Sequence, residues 1–176
     1  MKNIYIVTGG PGFGKTSIIQ ALREQGFNGS DELSRQFIKE QVDSEGRLLP
    51  WIDRLGYSKE ILKRRIHQYK SIPSDELWFF DRGIPDLIAY IHKDSLQTPE
   101  VYFKSAKEFR YNKIVFLTPP WQEIHKNDSE RLELFEEAEA IHQEIENTYT
   151  SLGYKCITVP KTTLSERVKF ILKAID

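Results

Sequence analysis

Gly9-Gly10-Pro11-Gly12-Phe13-Gly14-Lys15-Thr16 follows the apolar run Ile4-Tyr5-Ile6-Val7-Thr8 and leads straight into a segment with helical spacing. The eight residues fill the pattern G-x-x-x-x-G-K-T, the Walker A phosphate loop, and the strand before and helix after are the context that the pattern requires. Glycines let the backbone take conformations that a side chain obstructs, so successive N–H groups can converge on phosphate oxygens beside a helix N-terminus. The expected nucleotide-binding set is therefore Gly10, Gly12, Phe13, Gly14, Lys15, Thr16 and Ser17. In this reading Lys15 reaches the β- and γ-phosphates, the Thr16 hydroxyl meets Mg²⁺, and Ser17 supports the α-phosphate. The alternative, a tight strand-to-helix turn without a ligand, leaves the Lys-Thr pair unexplained.

Outward from the loop, short apolar runs that read as buried strands recur at Ile4-Thr8, Leu77-Asp81, Ile114-Thr118 and Cys156-Val159, with a weaker one around Phe27-Ser30. Helical patterns lie between them: 16–25, 31–42, 59–70 and 85–92, the last with a proline at its start, where a helix tolerates one. The longest periodic segment is 129–152, with Leu134, Ala138, Ile141, Ile145 and Leu152 as its stripe and Gly153 as its stop. Thr163 with Glu166 is a capping box for a final helix burying Val168, Ile171, Leu172 and Ile175. Strands alternating with helices predict an α/β fold with a parallel sheet and right-handed crossovers, and place ligands at the carboxyl ends of the strands.

The second such end is Asp81, closing the run Leu77-Trp78-Phe79-Phe80, with Arg82-Gly83 directly after it. An acid there faces the phosphate loop across the sheet, where it can order a Mg²⁺ water shell or accept a proton from an attacking hydroxyl. Arg82 beside it can hold a substrate hydroxyl or phosphate and offset developing charge. The bland reading is a strand-end Asp-Arg pair capping the Pro85 helix. Trp78, Phe79 and Phe80 read as core.

Composition narrows the partners. The 176 residues suit one ordinary domain, 1–176, with no linker or repeat, and 25 basic against 26 acidic residues create no field that marks a nucleic-acid or membrane binder. The lone Cys156 fits a reducing cytoplasm, and neither a signal segment nor a membrane span of about 18 apolar residues is present. His67, His92, His125 and His142 lack zinc-ligand spacing. Trp51 and Trp121 lie in irregular segments beside the expected cleft and read as packed under their loops, the alternative being that either stacks on a base or covers the acceptor; Lys63-Arg64-Arg65 reads as a solvated face.

Beyond the loop, Glu32-Leu33-Ser34-Arg35, Leu49-Pro50-Trp51, Phe80-Asp81-Arg82-Gly83, Arg110-Tyr111 and Asn127-Asp128-Ser129-Glu130-Arg131 form an ordered set. Together with Ile141-His142, Leu152-Gly153-Tyr154 and Val159-Pro160 it resembles the small predicted P-loop ATPases and kinases related to nicotinamide riboside kinase domains. The resemblance implies a kinase-like P-loop NTPase, a three-layer sandwich on a five-stranded parallel sheet with a helical lid between Pro119 and Arg131. It implies that Arg131 reaches over the phosphates in cis as an arginine finger, and that Glu32 and Arg35, on one helical face, bind the acceptor. For Arg131 the other reading is a solvated helix-start arginine; for Glu32 and Arg35 it is a surface ion pair.

The expected activity is Mg²⁺-dependent transfer of the ATP γ-phosphate to a small-molecule hydroxyl or phosphate, with Lys15, Asp81, Arg82 and Arg131 as the catalytic set and Thr16 and Asp81 at the metal. The competing expectation is a nucleotide-dependent switch that hydrolyses ATP slowly. A dedicated GTPase is disfavoured because Asn112-Lys113-Ile114-Val115 lacks the acid of a guanine-reading run. An enclosed second pocket near Asp81, Arg82 and Arg35 favours transfer, whereas an exposed apolar patch of several hundred Å² favours a partner surface and the switch.

Overall fold

A computed structural model describes residues 2–124 and 134–175. The strands are β1 (Ile4–Thr8), β2 (Asn28–Gly29), β3 (Trp78–Asp81), β4 (Ile114–Leu117) and β5 (Lys155–Thr158). They form one parallel sheet in the order β2-β3-β1-β4-β5. The helices are α1 (Lys15–Glu24), α2 (Leu33–Asp43), α3 (Arg54–Ser71), α4 (Ile84–Lys93), α5 (Glu100–Glu108), α6 (Phe135–Ser151) and α7 (Leu164–Lys173).

Strand periodicity divides the core into two layers. Ile4 and Ile6 of β1, Phe80 of β3, and Val115 and Leu117 of β4 point to one face, where α2 to α6 cover them. Tyr5, Val7, Phe79 and Phe116 point to the other face, against Ile18, Ile19 and Leu22 of α1 and Val168 and Ile171 of α7. Phe79, Phe80 and Phe116 are fully buried, each contributing about 1.5–3 kcal/mol by leaving water. Central parallel strands buried on both faces read as continuous apolar runs, which is how they were visible in the sequence.

Several boundaries and roles differ from expectation. α3 begins at Arg54, five residues before the expected start, because the Asp53 carboxylate accepts the Gly56 N–H at 2.8 Å and caps it. α5 has no counterpart among the expected helices. Trp78 is half-buried at the strand start, its Nε1 donating to Glu76. Leu134 is 60 % exposed and precedes α6 as its N-cap, so it is not part of the buried stripe. The expected cap on α7 is present: Thr163 Oγ1 accepts from Glu166 N. Most of the expected lid lies outside the described residues; what is described of it is Pro119 to Ile124, ending in a 3-10 turn at Gln122–Ile124. Among the described residues no helix is long and apolar enough to cross a membrane.

One buried carboxylate ties the sheet to α4 and α6. Asp86, 1 % exposed in the first turn of α4, accepts from the Thr8 hydroxyl at the end of β1, from Gly83 N at 2.8 Å, from Arg82 Nη1 at 3.2 Å and from the Tyr149 hydroxyl of α6 at 2.6 Å. Gly83 must be glycine here, since a Cβ would lie 2.7 Å from the Tyr149 hydroxyl and 2.8 Å from the Tyr111 ring. Removing one donor leaves a buried charge short of a hydrogen bond, and removing the carboxylate strands Arg82. Tyr149→Phe is expected to lower unfolding free energy by about 1–2 kcal/mol and Asp86→Ala by about 3–5 kcal/mol, as read from urea denaturation midpoints at unchanged slope.

Candidate active site

The loop from Gly9 to Gly14 connects β1 to α1 at the carboxyl edge of the sheet. Gly14 caps α1 with φ of 80°, a left-handed conformation that favours glycine, and a Cβ there would meet the Arg167 guanidinium at 2.9 Å. At Gly10 a Cβ would run into the Ala138 carbonyl of α6 and the Phe13 ring. The Phe13 ring is fully buried, edge-on to Phe135 and His142 of α6, so its side chain anchors the loop, and its carbonyl accepts from Arg167 Nη2 at 3.2 Å. Lys15 is 2 % exposed and donates from Nζ to Gly10 O at 2.7 Å, bridging the loop from within. Thr16 and Ser17 stand exposed at the first turn of α1. Burial, followed by the nearby Lys15 charge, lowers the His142 pKa to about 4, so this ring beside the loop is neutral at physiological pH.

Across the sheet, Asp81 Oδ2 accepts from the Thr16 hydroxyl at 3.1 Å, while Oδ1 is buried without a hydrogen-bond partner among the described residues. Asp81 is 1 % exposed, and burial, reinforced by the neighbouring Glu32 charge, pushes its pKa up to about 6 against the pull of Lys15 and Arg82. Arg82 has φ of 67°, a left-handed conformation unusual for a side-chain-bearing residue, and it turns the chain from β3 into α4. Three contacts hold it there: its N–H on Val7 O, its Nη1 on Gly9 O at 3.1 Å, and the Asp86 pair. Its Nε faces Glu32 Oε1 at 3.7 Å.

The expected residues thus converge, with changes of partner. Glu32, the N-cap residue of α2, pairs with Arg82 rather than lying in a surface pair, and Arg35 of α2 lines the same cavity. Arg131 lies outside the described residues. The cavity, about 270 Å³, runs from Pro11 of the loop past Arg82 and Asp86 to Tyr57 and Arg65 of α3, and is edged by Pro50 and Trp51. Trp51 is 53 % exposed at this edge and does not pack beneath its loop. Arg65, read from sequence as part of a solvated basic face, is 1 % exposed; Lys63 and Arg64 alone take the surface, paired with Glu60 and Glu40. The period of α3 carried the signal for Arg65, since it falls one turn beyond Ile61 and Leu62 on the buried side. Asp86 was hidden as an ordinary first-turn acid.

A family model described as an AAA domain matches residues 4–167. The chain belongs to the AAA-domain family. Comparison with curated protein sequences finds no match. Among solved structures, this AAA-domain chain is similar to a NadR protein in complex with NR (TM-score 0.72, 16 % identity, 99 % of this chain and 50 % of that one). It is similar also to deoxyadenosine kinase from M. mycoides (TM-score 0.69, 14 % identity, 98 % of each chain) and thymidylate kinase from Ehrlichia chaffeensis (TM-score 0.69, 15 % identity, 99 % of each chain). The fold is that of the P-loop kinases, and the five-stranded parallel sheet with helices on both faces matches it throughout.

The AAA-domain site fits a Mg²⁺–nucleotide. Asp81 Oδ1 is a buried carboxylate oxygen without a donor among the described residues, beside the Thr16 hydroxyl that such an ion would meet. Among the described residues no group of three or more His, Cys, Asp or Glu side chains could hold a metal by itself, so the cation would draw most of its ligands from phosphate oxygens and water, as Mg²⁺ commonly does. The raised Asp81 pKa also has a sign that can be tested. Its folded-state value of about 6 lies above the usual 3.8, so its contribution to stability is full below pH 3.8 and is lost as pH rises through 6. In the absence of nucleotide and metal, Asp81→Asn is expected to be more stable than wild type by about 1–3 kcal/mol at pH 7.5, and the two should converge near pH 4, as measured by denaturant unfolding across that range.

Proposed function

We propose that this protein is an ATP-dependent, Mg²⁺-requiring kinase that transfers the γ-phosphate to a hydroxyl or phosphate oxygen of a small molecule seated in the cavity, with 1–176 working as a single domain. The observation that carries this reading is the cavity itself, which shares Pro11 with the phosphate loop and Arg82 with the turn after Asp81. A binding switch has no need of a second chamber there, and a hydrolase needs room only for water. The volume, about 270 Å³, is near the roughly 300 Å³ lower end of small-ligand sites. The structural relatives named as kinases support the same reading.

In this mechanism the backbone N–H groups of Gly10, Gly12, Phe13 and Gly14 and the Lys15 ammonium hold the β- and γ-phosphates, with Ser17 at the α-phosphate. Thr16 and Asp81 hold Mg²⁺, which when bound screens the phosphate charge. The acceptor oxygen forms a bond to the γ-phosphorus as the bond from phosphorus to the β–γ bridging oxygen breaks, ADP leaves, and the acceptor's proton passes to Asp81 when that carboxylate is ionised. Arg82, fixed by Asp86, lies beside the transferred group, while Glu32 and Arg35 hold the acceptor from α2. Arg131 is assigned to the phosphates from the lid. Positioning and fixed charge supply most of the rate enhancement.

The exposed apolar residues Val42, Leu48, Trp51, Ile52 and Leu55 lie along the α2–α3 connection that edges the cavity through Pro50 and Trp51. That favours a flap over the acceptor and gives no separate ground for the switch reading.

The test is release of ADP from Mg·ATP with a pooled panel of nucleosides, nucleotides and small metabolites, together with recovery of labelled phosphate on the acceptor. Lys15→Ala and Asp81→Asn are each expected to reduce acceptor-stimulated turnover by about 10²-fold or more. Turnover indifferent to every panel member, with tight ATP binding, would count against transfer.

A further inference from the structure

Arg65 is 1 % exposed on α3, yet among the described residues it forms no ion pair. Its Nη1 donates to Asp81 O at 3.3 Å and to Arg82 O at 2.8 Å, which hangs the guanidinium beneath the turn after β3. Its Nε and Nη2 are buried with no acceptor among the described residues. These two nitrogens share one edge of the planar group, the edge that makes two parallel hydrogen bonds to a carboxylate or phosphate.

The neighbouring cations are engaged differently. Arg82 has Asp86 and Glu32, Arg54 has Asp94 at 2.5 Å, and Lys93 lies 3.9 Å from the same Asp94. Arg65 lines the cavity with them, at the chamber proposed to seat the acceptor. Ser58, two turns earlier on the same face of α3 and 1 % exposed, lines it too. A buried charge met only by two carbonyls on one nitrogen carries a desolvation penalty that a neutral ligand relieves only in part and an anion relieves fully.

We infer that the Nε/Nη2 edge of Arg65 binds an anionic group of the ligand, a phosphate or carboxylate presenting two oxygens, so that the cavity selects a charged small molecule over its neutral counterpart. This rests on the proposed transfer function only in calling that ligand the phosphoryl acceptor.

The full chain, with a non-hydrolysable ATP analogue and Mg²⁺ in excess to occupy the loop, is titrated calorimetrically with matched probes. These are the four deoxynucleosides and their 5′-monophosphates, and glycerol and D-glycerate. At least one anionic probe is expected to bind 10-fold or more tightly than its neutral partner, and the phosphate and carboxylate arms identify which anion is held. Arg65→Gln is expected to weaken that anionic probe by about 10- to 100-fold while leaving the neutral one and the ATP analogue unchanged; Arg65→Lys, which keeps the charge but loses the fork, should recover only part.

Neutral probes binding as tightly as their anionic partners in the wild type would overturn the inference without recourse to any variant, as would an absence of anionic binding across the panel. An anion preference that survives in a folded Arg65→Gln protein would overturn it as well. Labelled-phosphate transfer from ATP is scored separately. Arg65-dependent anion binding without transfer would leave the inference standing and sink the kinase reading, whereas transfer to a neutral acceptor indifferent to Arg65 would do the reverse.

Discussion

The carboxylate of Asp86 is the interaction on which the rest of this structure rests. A fully buried anion is tolerated only when its lone pairs are filled, and here the fillers come from four separate places: the end of β1, the αL residue after β3, the N-cap of α4, and the far turn of α6. Each donor belongs to an element that must be in place for the site to exist. The same oxygen that takes the Thr8 hydroxyl takes the Arg82 guanidinium, so the arginine beside the phosphate loop is oriented by the sheet and not by a ligand. Preorganisation of this kind is what fixed-charge catalysis requires.

Around that anchor the protein stores unfavourable electrostatics. Asp81 is held where burial and Glu32 resist its ionisation, Arg82 adopts a left-handed backbone, and Arg65 keeps one edge of its guanidinium without a partner among the described residues. Three such features gathered at the turn after β3 are hard to explain as packing alone, because an apolar replacement would fill the same space at lower cost. They are readily understood if a cation, a phosphate chain and an acceptor complete the set.

The sheet could be read from the sequence because its central strands are buried on both faces and therefore appear as unbroken apolar runs; Asn28–Gly29, with almost no side chain to bury, left only a weak trace. Helix ends could be read where a side chain caps them, as at Thr163, and were misplaced where the cap was overlooked, as at Asp53. The phosphate loop was legible because its glycines answer a backbone geometry that few other residues can supply. Asp86 and Arg65 were not. Charged residues in an amphipathic helix usually face water, and their burial here is decided by partners distant in sequence, Thr8 and Tyr149 for one and the carbonyls of Asp81 and Arg82 for the other. The Glu32–Arg82 contact was missed for the same reason, since spacing along α2 pointed to Arg35 as the partner.

Phe13 occupies a variable position of the loop pattern, yet its ring is wedged against Phe135 and His142 in the first half of α6, while Gly10 passes tight against the Ala138 carbonyl. The loop and α6 are thus one packed unit, and neither can drift independently through evolution. A lineage that replaces the aromatic at 13 by a smaller side chain must enlarge 135 or 142 to refill the gap, and one that adds bulk at 10 must shift the helix. Loop sequence and helix sequence therefore pose one packing problem, in which the size of the side chain at 13 is set by those at 135 and 142.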